Sequence, residues 1–177
     1  MSRRDEVLQA ALGLLDEVGL DDLTVRRLAD RLDVAPSALY RHFPSKAALV
    51  DAMVEAVAAS AEGPAPEGAW DEQVRSLATS ARDGMLAHRD GARLMATFAT
   101  PGPAAVGAFS RFTRVLEEAG LDRTAAVVVV DTVVCYVNGF TIEEQARRLG
   151  RAERDAGFRA GLELILAGVR AQLARGA

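Results

Sequence analysis

Cysteine is nearly absent from this 177-residue chain, where Cys135 stands alone. No internal disulfide can form, which fits a reducing compartment, and a cytoplasmic location is expected. Lysine is equally scarce, with Lys46 against 20 arginines, a bias that follows genomic base composition more than function. The only histidines are His42 and His88. There is no Gly-rich phosphate loop, no metal-ligand cluster and no nucleophile elbow. Cys135 lies in an apolar helical stretch without an identifiable partner, so it reads as a buried, inert thiol. These absences argue against an enzyme, and neither a cofactor nor a metal is expected. Long hydrophobic runs are missing too. The longest, Thr124–Tyr136, is short and contains Asp131, so no membrane span is expected. Residues 1–20 mix charges with apolar residues at helical spacing, unlike a signal peptide.

Excess positive charge is also lacking. The net charge is -4, and the first 50 residues carry seven Lys/Arg against eight Asp/Glu. Any nucleic-acid binding must come from a local arrangement of cations, not from a global field.

What the chain does have is apolar content, 50% of its residues, in a helical rhythm. Val7, Ala11, Leu14 and Val18 make the first amphipathic stripe, and Gly19 follows as a C-cap. Thr24 N-caps a second helix, with Leu23 and Leu28 as its hydrophobic staple. Asp33-Val34-Ala35 turns the chain, and Pro36 takes the N1 position of a third, two-turn helix. Pro44 stops that helix, and Ser45 caps a fourth with Leu49, Met53 and Val57 inward. The run Gly63-Pro-Ala-Pro-Glu-Gly68 is the clear break. It divides an N-terminal unit, 1–60, from a second, 61–177. Further helices are expected near 70–88, 91–98, 103–119, 123–149 and 154–175. Val127–Val130 favours strand by composition. Its neighbours Val129, Val133, Tyr136 and Phe140 keep helical spacing, so helix is expected there too.

Three short helices with a tight turn before the last make a helix-turn-helix. A major groove about 12 Å wide admits one helix, whose N-terminal half must face base edges. Leu39 and Phe43, four apart, pack inward. Ser37, Ala38, Tyr40 and Arg41 then face outward, His42 can donate to phosphate, and Lys46 sits where a helix N-terminus favours an anion.

The run Leu23–Leu49, above all Leu39-Tyr-x-His-Phe-x-x-Lys46-x-x-Leu49, resembles the signature of the TetR family of transcriptional regulators. The resemblance implies an all-α fold: a three-helix, helix-turn-helix DNA-binding domain plus a C-terminal helical domain for ligand binding and dimerisation. It places Tyr40, His42 and Lys46 on phosphates and Thr24 near the DNA backbone. Arg26 resembles a base-reading position, and Ser37 and Ala38 face bases or a thymine methyl. The position of Arg41 varies in the family. Pro36 departs from it, because that position often carries a base-contacting polar side chain.

In the second unit, His88-Arg-Asp-Gly-Ala-Arg93 and Gly139-Phe-Thr-Ile-Glu-Glu-Gln145 resemble the family's tetracycline-repressor branch. The departures matter. Met95 stands where that branch has a metal-ligating histidine, and Leu77 and Ala81 stand where it has a drug-contacting Asn and Phe. They argue against a Mg²⁺-tetracycline ligand and for a mostly apolar pocket. Its expected lining comes from Leu77, Ala81, Met85, Leu94, Met95 and Phe98, with Phe109, Phe112, Val133, Tyr136 and Phe140 opposite. Asn138, Thr141 and Glu143 are candidate polar anchors. The same residues at helical spacing also suit an ordinary core.

Helix 123–149 is apolar on two sides and must be covered twice. The last helix has Phe158, Leu162, Ile165, Val169 and Leu173 in register, and Gly157, Gly161 and Gly168 would permit close approach. The resemblance implies that these two helices pair with their copies. A two-fold homodimer then sets two recognition helices about 34–36 Å apart on a palindromic operator. A small effector favouring the wrong spacing would release the DNA, with helix 45–60 transmitting the change. A DNA-binding protein that no longer senses a small molecule, and answers to a protein partner or acts as an activator, is the competing reading, and a collapsed pocket would favour it.

Overall fold

The structure is a computed structural model that describes residues 2–60, 67–97, 100–147 and 151–176. All regular secondary structure among these residues is helical: α1 (Arg3–Val18), α2 (Val25–Arg31), α3 (Pro36–Tyr40), α4 (Lys46–Ser60), α5 (Trp70–Leu86), α6 (Gly91–Met95), α7 (Pro103–Glu118), α8 (Arg123–Ala146) and α9 (Arg151–Gly176). Most of the expected linker falls on 61–66, outside the described residues.

The helix boundaries follow from capping chemistry. Thr24 Oγ1 accepts from the Arg27 amide at 3.2 Å, and Ser45 Oγ from the Ala48 amide at 3.0 Å. Each satisfies a donor that a helix start leaves open. Between α2 and α3, Asp33 adopts φ 52. The Val34 and Asp33 amides donate back to Ala29 and Asp30 carbonyls, a Schellman closure made without glycine. Pro36 occupies the first turn of α3 as expected. That helix has only five residues, and the His42 and Phe43 amides close it on the Leu39 carbonyl before Pro44.

Two apolar cores result. The first gathers Val7, Leu15, Leu23, Leu28, Leu39 and Phe43 with the inner face of α4. The second is built by α5, α7, α8 and α9 around Val130, Val133, Leu116 and Phe158. Helix α4 packs on α1 at one end of the molecule and on α5, α6 and α7 at the other.

Helix α8 is helical through Val127–Val130. Its length and mean hydropathy of 1.8 are those of a membrane span, but it packs against α5, α7 and α9 as a core helix. One expectation fails here: Cys135 is exposed, not buried. It lies on the outward side of α8 with Val128 and Gly139, a side that no helix among the described residues covers. The glycines of α9 also divide. A Cβ at Gly161 would collide with the Tyr136 hydroxyl, whereas one at Gly168 would meet nothing. The close approach at Gly161 is therefore made within the chain, between α8 and α9.

Candidate functional site

The short helix α3 packs one face on the first core. Leu39 and Phe43 point into that core, 5% and 4% exposed, and this fixes where their neighbours look. Thr24, Arg26, Ser37, Tyr40, Arg41 and Lys46 are exposed, and Ala38 and His42 half-exposed. The spacing predicted the outward register of Ser37, Ala38, Tyr40 and Arg41, and Thr24 and Arg26, singled out by the resemblance, are exposed as well.

Charge pairing separates these residues from the rest of the domain. Arg3 pairs with Glu6, Arg27 with Asp22 and Arg31 with Glu17, while Arg4 lies over the Phe43 ring at 4.7 Å. Among the described residues, Arg26, Arg41 and Lys46 have no such partner. The acidic residues of this half thus neutralise its flanks and leave free cations around α3. A surface of that kind attracts phosphates although the chain is net negative.

The second feature is a cavity of about 540 Å³ between α4, α5, α7 and α8. Ala81, Met85, Met95, Phe109, Phe112 and Val133 lie on its wall, as does the candidate anchor Asn138. Its mouth opens between Val106 and Ser110 of α7 and Asp131 and Val134 of α8, all four exposed. Val57 and Ala58 of α4 also line it. The inward register of Val57 was legible in the sequence, but not that the connecting helix forms cavity wall.

Several expected lining residues lie elsewhere. Leu94 is buried in the first core, and Leu77 packs on the second. Tyr136 donates its hydroxyl to the Phe158 carbonyl at 2.9 Å, and its ring stacks on Phe158 with Phe140 alongside. Burial pushes the Tyr136 phenol pKa up. The cause is the helical period. The cavity follows the flank of α8 that carries Asp131, Val134 and Asn138, whereas α9 covers the flank of Tyr136 and Phe140. Of the other candidate anchors, Thr141 is buried and donates to the Val137 carbonyl at 2.6 Å. Glu143 is exposed and pairs with Arg147 at 2.9 Å. Phe98 lies outside the described residues.

The His88–Arg93 motif does not line this cavity; it joins the two halves of the molecule. Asp16 accepts from the Arg89 amide at 2.9 Å and meets His88 Nδ1. The Leu20 amide donates to Asp90 at 2.9 Å, and Arg93 pairs with Asp21 at 2.8 Å; that hydrogen bond holds the Asp21 carboxyl below its ordinary pKa. Gln145 fastens the same segment to α8. Its side chain accepts from the Ala92 amide and donates to the His88 carbonyl.

Residues 7–53 match the bacterial regulatory proteins of the tetR family, and residues 62–155 match the tetracyclin repressor-like C-terminal domain. The chain belongs to the TetR family. This TetR-family chain is 40% identical over 158 residues to the class A tetracycline repressor of transposon 1721 from Escherichia coli, spanning 88% of this chain and 70% of that one. Its fold superposes on BioQ, solved with its natural double-stranded DNA operator, with a TM-score of 0.86, 34% identity and coverage of 97% and 99% of the two chains. It superposes equally on a TetR variant from Acinetobacter baumannii AYE in complex with minocycline, with a TM-score of 0.86, 36% identity and coverage of 97% and 98%. These relatives are transcriptional regulators and not enzymes. The TetR-family chain is likewise a transcriptional repressor, with a helix-turn-helix and a ligand-binding domain.

Proposed function

We propose that this chain represses transcription from the cytoplasm as a homodimer on a palindromic operator, and that a small, mostly apolar effector releases it. The carrying observation is that α4 belongs to both sites: Met53 and Val54 are buried in the helix-turn-helix core, and Val57 and Ala58 line the cavity. A ligand that moves this wall moves the recognition helix. It shifts the equilibrium by as much as its affinities for the two arrangements differ. Residues 1–60 form the DNA-binding unit and 61–177 the sensing and dimerising unit. Arg26, Ser37 and Ala38 face bases, Arg41 reaches a base edge or a phosphate, and Thr24, Tyr40, His42 and Lys46 hold the DNA backbone. Dimerisation uses the outward sides of α8 and α9, where Val128 and Leu164 are 59% and 78% exposed.

An open cavity of this size favours small-molecule sensing over control by a protein partner alone. The test is gel-shift binding to the intergenic DNA upstream of the chain's own gene, with a salt series and Arg41→Ala as control. Two-fold, salt-sensitive binding that the variant loses is expected. Failure of the folded dimer to bind any fragment of a genomic DNA pool would overturn the repressor reading.

A further inference from the structure

The cavity wall is apolar except at its mouth. Among the described residues, Asp131 is its one charged lining residue, with Ser110 and Asn138 as polar company. No side chain among the described residues pairs with the Asp131 carboxylate or bonds the Asn138 carboxamide, although arginine–carboxylate pairs are plentiful elsewhere in the chain. Both groups lie on one flank of α8, two turns apart, which separates them by about 10 Å along the helix. Met85, Met95, Phe109 and Phe112 form the apolar floor beneath.

A ligand seated on that floor takes water from the Asp131 carboxylate. A neutral ligand would leave a desolvated charge unpaired, and an anion would add repulsion, with no cationic residue among the described residues of the wall to offset it. A cation supplies the missing partner, and the faces of Phe109 and Phe112 tolerate positive charge as well. We propose that the cavity takes a lipophilic organic cation, its charge held by Asp131 and its apolar body lying on Phe109, Phe112, Met85 and Met95. Asn138 offers a hydrogen bond to the far end of an elongated ligand. This rests on reading the cavity as the effector site.

The experiment is equilibrium dialysis of the full chain against two ions of matched shape and opposite charge, tetraphenylphosphonium and tetraphenylborate. Wild type, Asp131→Asn and Phe109→Ala are compared, with circular dichroism to check folding. The expected result is at least about tenfold tighter binding of the phosphonium by wild type, or about 1.4 kcal/mol. Asp131→Asn removes that preference, and Phe109→Ala weakens the phosphonium in parallel. Equal binding of both ions by wild type, or a preference that survives Asp131→Asn, overturns the cation assignment and leaves the cavity reading standing. Binding of neither ion to folded protein, or binding indifferent to Phe109→Ala, overturns the cavity reading and the assignment with it.

Discussion

Glu55 of α4 accepts a 2.6 Å hydrogen bond from the backbone amide of Ala104, in the first turn of α7. The carboxylate thus caps a pocket helix from the helix that carries the DNA-binding unit, and negative charge suits that end of α7. Gly102 makes room for it, since a Cβ there would collide with Glu55 Oε2. Loss of a helix cap costs about 1 kcal/mol. Glu55→Ala is expected to destabilise the chain by that order in urea unfolding, and to blunt ligand-induced release more than operator binding itself.

The junction at Asp90 should behave differently. Asp90 holds φ 56 and accepts from the Leu20 amide. Asp90→Ala removes that partner and leaves the part-buried Leu20 amide without its acceptor, a cost of roughly 1–3 kcal/mol. Faster hydrogen exchange at the Leu20 amide and weaker operator binding are expected. An unchanged Leu20 exchange rate would show that this tie does not hold α1 to the C-terminal half.

Gly91 sits against backbone, where neighbours cannot yield. An added Cβ would collide with the Met85 carbonyl oxygen, whereas at Gly139 it would meet nothing within 4 Å. Gly91→Ala is expected to lower stability by roughly 2–3 kcal/mol through overpacking. Gly139→Ala should raise the helix stability of the single protomer by about 0.5–1 kcal/mol, because alanine suits a helix interior better. Thermal unfolding of the two variants checks both signs.

Arg82 and Glu144 form a buried pair with two hydrogen bonds of 2.7 Å, and their side chains are 5% and 3% exposed. Burial opposes the Arg82 charge, but the bonds to Glu144 and Asp155 outweigh it and raise the pKa. Removing Glu144 alone leaves a buried guanidinium short of its main partner. Glu144→Leu is expected to cost about 3–5 kcal/mol, and the double variant Arg82→Met with Glu144→Leu clearly less. A double-mutant cycle in urea measures the difference.

Acid should loosen α5 from α9. Asp71 is lowered to about 2 from 3.8, first by its hydrogen bond from Arg170 and then by Arg75; Glu163 is lowered chiefly by Arg75. A depressed carboxyl contributes its stability above the unfolded value and loses it as pH falls through the folded one. The Asp71 contribution is therefore full above about pH 4 and fades towards pH 2. It is worth about 1 kcal/mol, since its partners are substantially solvated. Asp71→Asn should lower the neutral-pH stability by that amount and flatten the pH dependence across the same window.

The sequence by itself determined the helix-turn-helix and the all-α fold, because caps, turns and apolar spacing act within a few residues of one another. Thr24, Pro36, Ser45 and the inward pair Leu39 and Phe43 fix which side chains α3 can offer to DNA. The resemblance to the tetracycline-repressor branch, not a local rule, pointed to Ala81, Met85, Phe109 and Val133 as pocket lining. Only the tertiary structure decided which apolar residues border empty space. Tyr136 and Phe140 share a helix with Val133, yet they fill the contact with α9, and Leu94 belongs to the other core. Only packing across the chain could turn His88–Arg93 into the tie between α1 and α8, set Glu55 against α7, or put Asp131 at a cavity mouth. Each of these depends on residues dozens of positions apart, which no helical period encodes.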